Sequence, residues 1–154
     1  MEPVTETIPY EEVERWLLTL PEWKVRLETM KEQLEHIPGL TQKFELVSIH
    51  GKGQKNEAVL EEVIRRLQLR ELQIPMLELK ILVLEGAIRS LRAEERQFIA
   101  DRYEHRLSNN DAMDKLGLSS KTYYGRRKRI LERIYHFTGG KDSILCLQDE
   151  PLWE

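Results

Sequence analysis

The chain has a single cysteine, Cys146, in 154 residues. No disulfide framework can form within it, which fits a reducing compartment. No apolar run approaches the roughly 18 residues of a membrane span, and no N-terminal stretch joins basic residues to an apolar run. The expectation is a soluble intracellular protein with no signal peptide and no membrane partner. Strand-like alternation is missing, and so is any internal repeat. The sequence therefore predicts an all-α protein. Catalytic patterns are missing as well. His36, His50, His105 and His136 stand at no metal-ligand spacing from one another or from Cys146. The acid pairs Glu11-Glu12, Glu61-Glu62 and Glu94-Glu95 would point about 100° apart on a helix, as solvated faces do. Gly51-Lys52-Gly53 lacks the full spacing of a phosphate loop and follows no apolar strand. Cys146 has no evident base partner. The expectation is no catalytic residue, no metal and no cofactor: not an enzyme.

Charge is present, but unevenly. The formal net charge is -3, so the chain as a whole is not a basic nucleic-acid binder. Between Lys115 and Arg133 there are seven Lys/Arg and one Glu, a net of +6, which leaves -9 on the rest. A basic stripe in an acidic chain is a localised footprint. The length suits one domain, or a small domain with an accessory segment, and is enough to bury roughly two thirds of the unfolded surface.

Helical periodicity fills most of the chain. Met1 to Pro9 reads as a frayed end. Val13, Trp16, Leu17 and Leu20 share one side of a helix from Tyr10. Pro21 is expected to break it or to open a second helix, which runs to about Ile37 and stops at Pro38-Gly39. Residues 40–55, with Gly51, Gly53 and nearby lysines, read as a flexible linker. A long helical pattern follows. Leu60, Leu67, Ile74, Ile81 and Ile88 lie seven apart, and Val63, Leu77, Leu84 and Leu91 fill the positions three later. Arg70 interrupts the second register, and Pro75 is expected to kink or split the helix. This seam has two readings. It is a dimerisation helix through Leu60, Leu67, Ile74, Leu77, Ile81, Leu84 and Ile88, or an ordinary helix pair on the chain's own core. The organisation read from the sequence is an N-terminal helical segment at 1–39, the linker at 40–55, a long oligomerisation segment at 56–90, a DNA-binding domain at 91–140 and a tail at 141–154. The tail, with Ile144, Leu145, Leu147, Leu152 and Trp153, folds back as a flap or docks on a partner.

Residues 91–131 carry the most specific signal. Three shorter helices are expected, near 93–105, 109–116 and 120–137, with Gly139-Gly140 ending the last. In Leu116-Gly117-Leu118-Ser119-Ser120-Lys121-Thr122-Tyr123 a short helix runs into a glycine that tolerates a left-handed backbone. Ser119 can then cap a second helix. That helix carries Arg126, Arg127, Lys128, Arg129 and Arg133. This is the pattern of a helix-turn-helix, in which a rigid helix presents cations to phosphates and short polar groups to base edges.

The series Leu91, Glu95-Arg96, Ile99, Arg102-Tyr103, Ser108, Leu116-Gly117-Leu118-Ser119, Thr122-Tyr123, Arg126, Arg129 and Leu131 resembles region four of bacterial sigma factors, the module that reads the promoter -35 element. The match covers about 40 residues, in order and in spacing. Met113 departs from the small residue usual four before the turn glycine, and Tyr123 replaces the usual Val or Ile. The Tyr123-Tyr124 pair, with its basic run, is similar to phage late-gene activators of the ArpU and RinA type. That resemblance implies switching on an operon for packaging, morphogenesis or lysis, in the cytoplasm of a bacterial host.

On the recognition helix, Tyr123, Ile130, Ile134 and Phe137 fall on one face and are expected in the core. Ser120, Lys121 and Tyr124 are placed to reach base edges, with Ser119 and Thr122 beside them at the helix start. Arg126, Arg127, Lys128 and Arg129 are assigned to phosphates, and Asn109 and Asn110 add phosphate contacts. Glu95, Arg96 and Arg102 are expected as ion-pair or docking residues, and Tyr103 as core. The expected partners are double-stranded DNA, a second copy of the chain and RNA polymerase. Two other functions compete with the activator: a small terminase-like subunit that recognises packaging sites, and a sigma-like helical adaptor that binds polymerase without DNA affinity.

Overall fold

A computed structural model describes residues 7–35 and 54–147. It is all-α, with five helices and no strand among the described residues. They are α1 (Tyr10–Glu35), α2 (Gln54–Arg89), α3 (Ala93–Ile99), α4 (Asn109–Leu116) and α5 (Ser120–Phe137). The described residues divide into two compact units, 7–22 with 80–147, and 23–35 with 54–79. The boundaries fall inside α1 and α2, so the units cut across the five segments read from the sequence.

Neither proline ends its helix. Pro21 lies inside α1 and Pro75 inside α2, and both helices run through. A proline removes one backbone hydrogen bond and crowds the preceding turn, but its φ is itself helical. Long hydrogen-bonded stretches on either side hold the conformation, and Pro75 is exposed, so its ring displaces no core side chain. The expectations of a break at Pro21 and of a split at Pro75 are therefore corrected to two unbroken helices. The expected helix end near Ile37 and most of the linker, 36–53, lie outside the described residues, as do 1–6 and 148–154.

In the first unit the core is built from every element. α1 contributes Val13, Trp16, Leu17 and Leu20, and the end of α2 contributes Ile81, Leu84 and Ala87. Leu91 follows, then Phe98 and Ile99 of α3, Ala112 of α4, and Tyr123, Ile130, Leu131, Ile134 and Tyr135 of α5. α3 does not continue as an α-helix to 105. It passes into a π-helical turn, Ala100–Glu104, whose wider spacing gives an i to i+5 bond from His105 N to Ala100 O at 2.8 Å. The turn carries Asp101 and Tyr103 inward.

The start of the tail folds back. Thr138 Oγ1 donates to Ile134 O at 2.8 Å, and Gly139 takes φ 108°, which ends α5. Two 3-10 turns follow, and Leu145 is buried. Lys80 Nζ donates to Leu147 O at 3.1 Å.

In the second unit the described core is small: Met30, Leu60 and Leu77 are buried. Lys31 Nζ and Glu78 Oε1 lie 2.8 Å apart. Of the seam residues expected at a dimer interface, Leu60 and Leu77 are buried in this unit, and Ile81 and Leu84 in the first. Leu67, Ile74 and Ile88 are half-buried. A side chain already buried within one chain has no surface to offer a second copy. A seven-residue repeat marks the face of a helix that packs, and it does not say against which chain.

Candidate nucleic-acid interface

The two helices α4 and α5 and the three residues between them are fixed by local chemistry. Ser108 caps α4, its Oγ accepting from Asp111 N at 3.1 Å. At the other end Gly117 takes φ 66°, ψ 33°. Leu118 N donates to Met113 O at 3.0 Å and Gly117 N to Asp114 O at 3.3 Å, the paired bonds of a Schellman motif. A Cβ at Gly117 would meet nothing within 4 Å, so backbone angle alone requires glycine there. Ser119 caps α5 by accepting from Thr122 N at 3.4 Å, and it donates to Thr122 Oγ1 at 2.9 Å. Ser119, placed with the DNA contacts in the sequence reading, thus spends its hydroxyl on Thr122, whose own hydroxyl oxygen accepts it.

On α4, Ala112 is fully buried, while Met113 is only half-buried. The small residue of α4 that is buried thus lies one position before the one expected from the sequence. Tyr123 is also fully buried. Its ring centroid lies 5.0 Å from that of Phe98, and its hydroxyl donates to Asn109 Oδ1 at 2.7 Å. Arg102 Nε donates to the same oxygen at 2.9 Å, and Arg102 Nη1 to Leu107 O at 3.2 Å. The Asn109 carbonyl oxygen is therefore a joint between the starts of α4 and α5. Burial pushes the Tyr123 hydroxyl above its ordinary 10.0, against the opposing charge of Arg102, so it remains a donor.

Ion pairs sort the basic stripe into two groups. Lys115 Nζ lies 2.5 Å from Asp101 Oδ1, and Asp101 also accepts from Gln97 Nε2 at 3.0 Å. Desolvation opposes the charge on this fully buried carboxyl, but the bonds from Lys115 and Gln97 outweigh it and hold the group below its ordinary 3.8. Arg133 Nη1 lies 2.7 Å from Glu95 Oε1, and Arg92 N donates to the same oxygen at 3.3 Å. Arg127 pairs with Glu14 of α1. Its guanidinium is drawn below the ordinary 12.5 by burial, and its Nε is buried without a hydrogen-bond partner. Beside this pair the Tyr10 hydroxyl donates to Glu132 Oε1 at 2.6 Å. That bond, with burial and the Glu132 charge, pushes the tyrosine up to about 12. Arg127 was assigned to phosphates from the sequence, and here it is a tie between α1 and α5. A groove of about 730 Å³ runs along this flank, lined by Pro9, Tyr10, Glu11, Glu12, Arg15, Tyr124, Arg127 and Lys128.

The remaining group makes no ion pair among the described residues. Lys121, Lys128 and Arg129 are exposed and Arg126 is half-buried. Ser120 and Tyr124 are exposed near the start of α5, and Asn110 is exposed at the start of α4. The Tyr124 ring stands edge-on to Tyr123 at 5.1 Å. Phe137, expected in the core, is 58% exposed. It sits at the last position of α5, where the Tyr123, Ile130 and Ile134 row has rotated away from the core, and Leu131 and Tyr135 are buried instead. Sequence reasoning missed Glu14, Tyr10, Asp101 and Arg92 as neighbours of this surface. No local signal marks the first two, which come from the far end of the chain.

Among the described residues no group of His, Cys, Asp and Glu gathers where it could hold a metal ion, and no helix is long and apolar enough to cross a membrane. Set against family models, curated proteins and solved structures, the chain finds no match in any of the three.

Proposed function

We propose that this chain is a sequence-reading, double-stranded DNA-binding regulator, and that it activates a phage late operon. The observation that carries this reading is the α4–α5 pair. Two capped helices meet at a left-handed glycine, the second is anchored from beneath by Tyr123, and its outer face bears Lys121, Tyr124, Lys128 and Arg129. A helix so held can enter a major groove with its first turns toward base edges. Ser120, Lys121 and Tyr124 take the base-reading role, and Arg126, Lys128 and Arg129 the phosphate role. The acidic balance of the rest of the chain confines non-specific attraction to this face. RNA polymerase and a second copy of the chain are the proposed protein partners.

The test is selection from sheared phage and host DNA with the purified full chain, followed by sequencing, with mass by light scattering on the same sample. Enrichment of a sharp site upstream of a late operon is expected, with a dimeric mass. Enrichment beside a terminase gene with a ring-sized mass would move the assignment to packaging. No enrichment at low salt would overturn the DNA-binding reading.

A further inference from the structure

Away from the α1 flank, α5 turns a second row of side chains toward the start of α3. Arg126, Arg129 and Arg133 lie at i, i+3 and i+7, so they share one side of the helix. Arg92, the N-cap residue of α3, faces them, and together with Glu94 and Glu95 the four arginines line a recess of about 250 Å³. Glu95 is already engaged, by Arg133 and by the Arg92 backbone. The side chains of Arg92, Arg126 and Arg129 have no ion-pair partner among the described residues. Four guanidinium groups around one recess repel one another, and one free carboxylate does not balance them. The guanidinium fork suits the paired oxygens of a phosphate better than an ammonium does.

We propose that this recess is a phosphate-binding cradle, in which Arg126 and Arg129 grip the oxyanion, Arg92 closes it from α3, and Glu95 positions Arg133. The proposal deepens the DNA reading and rests on it for one source of the phosphate, the duplex backbone. The other source is a free phosphorylated compound with the same head group.

The experiment is calorimetric titration of the full chain with inorganic pyrophosphate at low ionic strength, beside a duplex DNA titration over a range of salt. Arg126→Gln and Arg129→Gln should each weaken pyrophosphate binding about tenfold. Arg96→Gln, which removes the same charge from α3 outside the recess, should leave it unchanged. No binding by the wild-type chain, or equal losses in all three variants, would overturn the cradle. If the double variant also lowers the salt slope for duplex DNA by about 1.8, the backbone supplies the phosphate. Lost pyrophosphate binding with an unchanged slope supports the cradle and assigns it to a free compound. Pyrophosphate binding by a chain that ignores duplex DNA keeps the cradle and removes the DNA reading.

Discussion

The two compact units share the same two long helices, yet they are stabilised differently. The first buries apolar side chains from all five helices, and its turns are closed by caps, a left-handed glycine and the buried Asp101. In the second, among the described residues, Met30, Leu60 and Leu77 are buried, while Val25, Val59, Leu72, Met76 and Leu79 are exposed. Hydrophobic stabilisation follows the area removed from water. The second unit therefore takes little of its order from its own described core. Helical periodicity runs through both, so its presence alone does not measure how firmly a segment is held.

The widest separation between the units should come from paired leucine truncations on α2. Leu84→Ala, at a fully buried site, should cost about 3 kcal/mol by chemical denaturation. Leu72→Ala, at a site 68% exposed, should stay within about 0.5 kcal/mol. Equal effects would erase the distinction.

Asp101→Asn tests the polar part of the first unit. It replaces a buried carboxylate held by Lys115 and Gln97, and about 1–2 kcal/mol should be lost, since Lys115 is itself half exposed. The sign with pH follows from the lowered folded value. The contribution is complete above the ordinary 3.8 and fades as pH falls through the lower folded value. The wild-type chain should therefore lose its advantage over the variant in acid, which melting curves across the acid range will show.

Gly117→Ala is a purer backbone test. Space is free around the position, so only the left-handed angle is penalised, by about 1 kcal/mol. A loss several times larger would mean that a contact, not the angle, is at stake.

The smallest effect separates two adjacent cations on α5. Lys128→Ala should lower the salt slope of DNA binding by about one unit with little change in melting temperature. Arg127→Ala should leave the slope alone and lower the melting temperature, because Arg127 is held by Glu14. A reversed pattern would restore Arg127 to the phosphate contacts.

What could be read from the sequence was local. The bounds of α4 and α5 follow from Ser108, Gly117 and Ser119, because a cap is a bond between residues three apart. The face of α5 that carries Tyr123, Ile130 and Ile134 follows from the helical period. What could not be read was either long-range or a matter of degree. Glu14 and Tyr10 meet α5 only once the chain has folded, and nothing in the sequence around Arg127 distinguishes it from Lys128. Pro21 and Pro75 oppose helix locally and are outweighed by the turns on both sides. The π-helical turn at Ala100–Glu104 adds a residue to one turn without any glycine or proline to announce it.

The joint at Asn109 has a further consequence, for inheritance. One oxygen accepts from both Tyr123 and Arg102. Losing either donor leaves the acceptor satisfied by the other, whereas losing the acceptor strands the buried Tyr123 hydroxyl and leaves Arg102 with its bond to Leu107 O. The order of change is thereby constrained. In descendants of this chain Arg102 can drift first, whereas the asparagine can be replaced without stranding a hydroxyl only once position 123 has lost its own, as in Tyr123→Phe.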